Sequence, residues 1–277
     1  MSLDPRLSAL LACPVCHARL QEESNMLLCA SCGRHYVIDS GIPVFLVKLP
    51  AGKEVDYITH YVRDSEVFDY FETQRGATEH SERRIREYTL SLVPKETQSI
   101  LDVGCGSAWV AKALQRSGRF LCSLDISTQN HVGIAVDSYH LPFQDNSFDT
   151  IIAAEIIEHL NNPEVFVAEL LRVIKPSGAI IISTPYKEKL VYELCIHCHE
   201  LTPHHAHLHS WNEETLHALF GNALREWTFY AFNNKLLVFA RLYPFLAWMP
   251  FAWWRSVDRL ADLLFTHPMN CVFRVRK

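Results

Sequence analysis

Residues 101–106 read Leu-Asp-Val-Gly-Cys-Gly and complete a short apolar run that begins at Ser99, which predicts a strand ending in a glycine turn. The periodic segment Ala108 to Arg116 predicts a helix whose amino end points back at that turn. Gly104 and Gly106 put no Cβ between the backbone and whatever lies across it, which suits a nucleotide-like ligand. The dinucleotide fingerprint has a third glycine three places after the second, and Trp109 stands there instead. NAD and FAD are thereby disfavoured.

A second apolar run, Phe120 to Leu124, ends in Asp125, and a third, Val132 to Val136, ends in Asp137. An acid at the tip of the second strand is placed to hold two ribose hydroxyls. Next come Leu141 to Asp149, the apolar strand Thr150 to Ala154, and the segment Glu155-Ile-Ile-Glu158-His159-Leu160. This ordered series resembles the class I S-adenosylmethionine-dependent methyltransferases over roughly residues 55–277. The resemblance implies an α/β fold, a Rossmann-like sheet of seven strands. It places Asp102, Gly104, Cys105 and Gly106 under the methionine part of the cofactor and gives Asp125 the ribose. Ile126 then lies beside the adenine, Asp137 and Ser138 lie at its amino edge, and Glu155 lies near the methionine end. Asp149 is read as structural, fixing the start of the fourth strand.

Two departures stand out. Ala108 occupies a position where the family most often has glycine, and only eleven residues separate Asp125 from Asp137. That is too short for the helix that normally crosses between parallel strands, so an irregular crossover is expected.

The amino-terminal segment carries a second signal, Cys13-x2-Cys16, twelve residues, then Cys29-x2-Cys32. Four thiolates in two knuckles satisfy a tetrahedral zinc with no open position, so the site is read as structural. The start Met-Ser-Leu-Asp-Pro shows no charged-then-apolar signal segment, which points to a reducing cytoplasm and against disulfides. About forty residues bury too little core to fold unaided, so folding coupled to metal is expected, in a unit separate from the glycine-turn core. With Tyr36 and Gly41-Ile-Pro-Val-Phe-Leu46, this segment resembles the small zinc ribbons fused to methyltransferases or serving them as activating subunits.

Residues 1–48 carry Arg6, Arg19, Arg34 and Lys48 against Asp4, Glu22, Glu23 and Asp39, and the whole chain has a net charge of −5. Phosphate binding draws on clustered Lys and Arg, so nucleic acid is disfavoured as a partner, with a ribosomal or transfer RNA methyltransferase kept as the second reading. A non-catalytic cofactor-binding scaffold is the third. The chain divides into a zinc ribbon over 1–48, a linker over 49–57 and a methyltransferase domain over 58–277. Charged and aromatic residues from Tyr57 to Leu92 are read as helices over the cofactor edge. No oligomeric state is legible.

After the fifth strand, Ala179 to Ser183, residues 195–210 form a candidate second metal loop. Cys195-x2-Cys198 precedes His204, His205, His207 and His209, and the expected zinc ligands are Cys195, Cys198, His207 and His204. Ser210-Trp-Asn-Glu213 reads as a capping box that starts the next helix. Residues 236–268 form a hydrophobic insertion before a last strand at Asn270 to Arg276. Within it lie thirteen uncharged residues, Leu242 to Trp254, with Phe245, Trp248, Phe251, Trp253 and Trp254. Two prolines and too short a run exclude a spanning helix. Such runs are ordinarily core, so a buried cap is the first expectation, and peripheral membrane contact or a grip on a greasy acceptor the second.

These features point to methyl transfer from S-adenosylmethionine to a small or lipid-like acceptor. An oxygen acceptor must lose its proton, and His159, His207 and Tyr186 are the candidates to take it.

Overall fold

The structure is a computed structural model that describes residues 3–46, 77–126, 133–194, 199, 201–221 and 225–277. Its strands are β1 (Leu20–Glu23), β2 (Met26–Cys29), β3 (His35–Asp39), β4 (Ile42–Val44), β5 (Ser99–Val103), β6 (Phe120–Asp125) and β7 (Ile134–Ala135). They continue with β8 (Phe148–Ala154), β9 (Ile174–Pro185), β10 (Tyr192–Leu194), β11 (Leu201–Pro203), β12 (Glu226–Asn234) and β13 (Pro268–Arg276). Every residue of β5 is buried, as are Ala179 to Thr184 of β9, because a parallel sheet covered on both faces hides consecutive side chains.

Seven strands run in the order β7-β6-β5-β8-β9-β13-β12, with β13 alone antiparallel to its neighbours. The glycine turn therefore opens at the carboxyl end of β5, between β6 and β8, where open α/β sheets bind ligands. β6 and β7 pair in parallel, Leu124 with Ile134 and Asp125 with Ala135, across the short connection noted in the sequence. Residues 127–132 of that connection lie outside the described residues, as do the linker and the first part of the segment from Tyr57 to Leu92. The described part of that segment is one helix, Ala77–Ser91.

The cysteine-bearing segment is not a separate core. β4 pairs in parallel with β7, Val44 opposite Ala135, and extends the sheet to eleven strands. The Phe45 N–H donates to Ala135 O at 2.8 Å and the Ala12 N–H to Pro142 O at 2.9 Å. Leu11, Cys29, Tyr36 and Phe45 pack in one apolar cluster with Leu101, Val103, Leu124 and Phe143. An exposed edge at β7 is a liability for a sheet, and β4 covers it.

Three local expectations shift. The helix expected over 108–116 is shorter, Trp109–Leu114, because Ala108 itself adopts a left-handed conformation with φ +54°. The helix expected to be capped at Ser210 starts two residues later, at Glu213–Phe220. Asn212 is its cap and accepts from the Thr215 N–H, while the Thr215 hydroxyl accepts from the Asn212 N–H. The aromatic run near the carboxyl end is not a buried cap. It forms short helices Lys235–Phe239 and Tyr243–Leu246 and a longer one, Phe251–Leu264, between β12 and β13. Trp254 packs inward at 1% exposure, while Trp248 is 92%, Phe245 79% and Trp253 72% exposed. The two prolines break the run into pieces too short to turn all their aromatic faces onto one core.

Candidate active site

The turn after β5 is built from left-handed backbone. Gly104 has φ +68° and Gly106 φ +47°. A Cβ on Gly104 would also stand 2.7 Å from Ile156 Cδ1. The N–H groups of Gly104 and Cys105 both donate to Leu124 O at 3.0 Å, and the Gly106 N–H donates to Asp125 Oδ2 at 2.9 Å. Asp125 thus ties the tip of β6 to the glycine turn. Ala108 holds a left-handed conformation at a strain of about 1 kcal/mol, which explains why glycine is favoured there.

Asp102, at the end of β5, is 2% exposed and its Oδ2 is buried without a hydrogen-bond partner among the described residues. Burial, helped by the nearby Asp125 charge, pushes its pKa up to about 8. Glu155 follows β8 in a left-handed conformation, φ +52°, fixed by its N–H donating to Ser183 O at 2.9 Å. Its Oε1 is likewise buried with no hydrogen-bond partner in good geometry among the described residues, and burial, opposed by the nearby Ser183 hydroxyl, raises the carboxyl to about 7. Two buried carboxyls with orphaned oxygens beside a glycine turn favour a ligand that brings positive charge and N–H donors.

Ile126 follows Asp125, half-buried. Asp137 accepts from the Tyr139 N–H at 3.0 Å and starts a turn that contains Ser138. The Cys105 thiol is buried, and its pKa is pushed up by that burial. Asp149 accepts from the Gln98 and Ser99 N–H groups and pairs with Lys175 at 2.8 Å, clamping β8 to β5. Burial opposes ionisation there, yet Lys175 and these donors hold the carboxyl at about 2.

Opposite the turn, a one-turn helix, Ile157–His159, follows β8. The Leu208 N–H donates to Glu158 O at 2.7 Å and folds the histidine-rich segment back onto this turn. The rings of His159 and His207 stand 4.9 Å apart, centroid to centroid. His159 Nδ1 lies 3.2 Å from Ala206 O, and His207 Nδ1 is held by Glu188 Oε2. Glu158, 1% exposed, accepts from the Thr184 hydroxyl at 3.0 Å. The Tyr186 hydroxyl donates to Glu213 at 2.9 Å, and His204 pairs with Glu193 at 3.2 Å. Cys195 and Cys198 lie outside the described residues. Sequence reasoning missed Glu158 and Glu188 as site residues. Glu158 adjoins His159 and carries a local signal, whereas Glu188 lies nineteen residues from His207 and carries none.

In the amino-terminal segment the four sulfurs of Cys13, Cys16, Cys29 and Cys32 lie within 4.8 Å of one another. Cys13 to Cys32 is 3.6 Å and Cys16 to Cys29 is 3.4 Å, near the roughly 3.8 Å edge of a tetrahedron with zinc–sulfur bonds of about 2.3 Å. All four are free thiols.

Residues 101–182 match the family model described as a methyltransferase domain, and residues 4–41 match the one described as a Trm112p-like protein. The chain thus contains a methyltransferase domain behind a Trm112p-like segment. A mitochondrial ubiquinone biosynthesis O-methyltransferase of Rattus norvegicus is 31% identical over 124 residues, 37% of this chain and 35% of that protein. Another ubiquinone biosynthesis O-methyltransferase, from Rickettsia conorii, is 29% identical over 169 residues, 50% of this chain and 58% of that one. The chain spans between 33% and 58% of the length of these ubiquinone biosynthesis O-methyltransferases. A crystal structure of a SAM-dependent methyltransferase from Archaeoglobus fulgidus shares the fold, with a TM-score of 0.50 at 16% identity over 79% of this chain and 99% of that one.

Proposed function

We propose that a chain joining a Trm112p-like segment to a methyltransferase domain works here as an S-adenosylmethionine-dependent methyltransferase acting on a small, apolar or lipid-like acceptor. The observation that carries this reading is the pair of buried carboxyl oxygens on Asp102 and Glu155 beside the glycine turn, for which no hydrogen-bond partner stands among the described residues. S-adenosylmethionine would supply a methyl group on a sulfonium, together with a methionyl ammonium. Asp102 and Glu155 fit those positive charges, and Asp125 fits two ribose hydroxyls. Gly104, Cys105 and Gly106 line the methionine side, and Ile126, Asp137 and Ser138 the adenine side. Alignment of acceptor and methyl group supplies most of the rate. The proton of an oxygen acceptor falls to His159 and His207, since the Tyr186 hydroxyl is engaged by Glu213. The four cysteines of the amino-terminal segment fit one structural zinc.

Burial and the nearby Asp125 charge favour the protonated form of Asp102 in the ligand-free chain, and a cationic ligand favours its ionised form, so binding is expected to release a proton. Affinity for S-adenosylmethionine is therefore expected to strengthen as pH rises from 6 toward 8, by close to tenfold from pH 6 to 7 and by about fivefold from pH 7 to 8. Asp102→Asn should remove most of the gain between pH 7 and 8, read by calorimetry. A flat pH profile in the unmodified chain would contradict this assignment.

An apolar acceptor also accounts for the exposed aromatic residues near the carboxyl end. Trp248, Phe245, Phe239 and Trp253 are exposed in a stretch that also carries Arg241, Arg255 and Arg259, a combination suited to an anionic membrane interface. No helix among the described residues is long and apolar enough to cross a membrane. The chain is expected to co-sediment with phosphatidylglycerol vesicles, and a Trp248→Ser, Trp253→Ser variant should lose most of that binding with its fold intact by circular dichroism. Equal sedimentation of both proteins would remove the membrane role.

A further inference from the structure

We infer that a cavity between helix Ala77–Ser91 and the carboxyl-terminal helices binds the hydroxyl end of a neutral amphiphile, at a site separate from the glycine turn. Its polar wall is made by His80, Asn233, Trp254 and Asp258, and its apolar wall includes Leu237 and Val238. β12 runs parallel to β9, so Asn233 near its end stands at the same edge of the sheet as the glycine turn, two strands beyond β9.

Three of the polar side chains are deeply buried and incomplete. His80 Nδ1, Asn233 Oδ1 and Trp254 Nε1 have no hydrogen-bond partner among the described residues, and these residues are 6%, 2% and 1% exposed. Interiors seldom leave one such atom orphaned, and three around one space call for an occupant. Other contacts hold the walls in place. The Asn233 side-chain amide donates to Asn270 Oδ1 at 2.8 Å, and the Arg84 guanidinium lies 4.8 Å over the Trp254 ring while donating to Leu246 O and Met249 O. The space admits about one water-sized group.

The orphaned atoms select that group. Trp254 Nε1–H needs an acceptor and Asn233 Oδ1 needs a donor, and a hydroxyl is both at one oxygen. An ammonium cannot accept from Trp254, and Arg84 already places a cation on that ring. A carboxylate or phosphate cannot donate to Asn233, and it would face Asp258, whose own oxygens take the Asn233 and Asn234 N–H groups at 3.1 and 2.9 Å. Burial, with Arg84 nearby, pushes the His80 imidazole down to about 4, so its ring is a neutral third partner. The chain that carries the hydroxyl lies along Leu237 and half-buried Val238, on a short helix whose Phe239 is 81% exposed. The inference draws nothing from the cofactor reading.

The test is calorimetric titration of the full, zinc-loaded chain with 1-octanol, and with 1-fluorooctane as the control that lacks a hydroxyl. One saturable octanol site per chain is expected, about tenfold or more tighter than fluorooctane. Trp254→Phe keeps a ring and removes the N–H, and should weaken octanol by about tenfold. Val238→Trp fills the cavity from a half-buried position and should abolish the site. S-adenosylhomocysteine affinity should change less than about twofold in both variants, because the cofactor residues lie on other elements. A Trp248→Ser, Trp253→Ser variant, which strips exposed aromatics only, should keep its octanol binding. No saturable octanol binding, equal binding of the two ligands, unchanged octanol binding in both cavity variants, or a loss confined to the double serine variant overturns the site and leaves water as the occupant.

Discussion

A Cys29→Ser chain is expected to lose its zinc and, with it, more than the amino-terminal segment. Cys29 is buried, and its sulfur faces Cys16 at 3.4 Å in the four-thiol cluster. Metal binding in so small a unit is coupled to its folding, with apparent free energies of about 10–16 kcal/mol in zinc-finger peptides. Losing one of four ligands forfeits a substantial part of that, on the order of 5 kcal/mol. At roughly 2–4 °C per kcal/mol for a domain of this size, the melting temperature should fall by about 10–20 °C. The damage does not stop at β4. β4 lies against β7, and Tyr36 and Phe45 pack with Leu124 and Phe143, so unfolding the ribbon uncovers the edge strand that leads to Asp137. Cofactor affinity should therefore drop as well. Elemental analysis, thermal denaturation and calorimetry of the same preparation check this. Undiminished zinc in the variant contradicts the four-cysteine site, and a melted ribbon with intact cofactor affinity contradicts the mechanical link through β7.

Asp125→Ala is expected to weaken S-adenosylhomocysteine binding by more than about 100-fold. The carboxylate accepts from the Gly106 N–H and is proposed to accept from two ribose hydroxyls. Hydrogen bonds to charged groups contribute about 1.5–3 kcal/mol each, so losing two ribose contacts alone exceeds two decades. The orphaned Gly106 N–H also releases the turn that Gly104 and Gly106 shape. Asp125→Asn keeps an acceptor for that N–H and should fall between the two. Equal affinity in all three proteins removes Asp125 from the ribose site.

The strand-turn-helix at residues 99–114 was legible because each piece is local. β5 is a buried apolar run, the glycines mark left-handed turns, and Asp149 sits where a strand must be clamped. The four-cysteine cluster was legible for the same reason, since knuckle spacing is a property of a short segment. What stayed hidden depends on long-range pairing. Nothing in the composition of Ile42–Val44 says that it will add to β7 and merge two cores into one. Likewise, the partners of His207 are Glu158, His159 and Glu188, which the topology brings together. The sequence pointed instead to Cys195, Cys198 and His204 as companions of His207; the two cysteines lie outside the described residues, and His204 pairs with Glu193. The aromatic run misled because burial was inferred from hydrophobicity, although prolines at 244 and 250 divide it and leave Trp248 in solvent.

The central claim is that the glycine turn with Asp102, Asp125 and Glu155 binds S-adenosylmethionine and not a dinucleotide. Calorimetric titration of the full, zinc-loaded chain with S-adenosylhomocysteine, and separately with NAD+, tests it most directly. The account predicts one S-adenosylhomocysteine site per chain and no heat of binding from NAD+, because Trp109 stands where the dinucleotide fingerprint has its third glycine. Tighter binding of NAD+, or a folded chain that binds no S-adenosylhomocysteine, would contradict it.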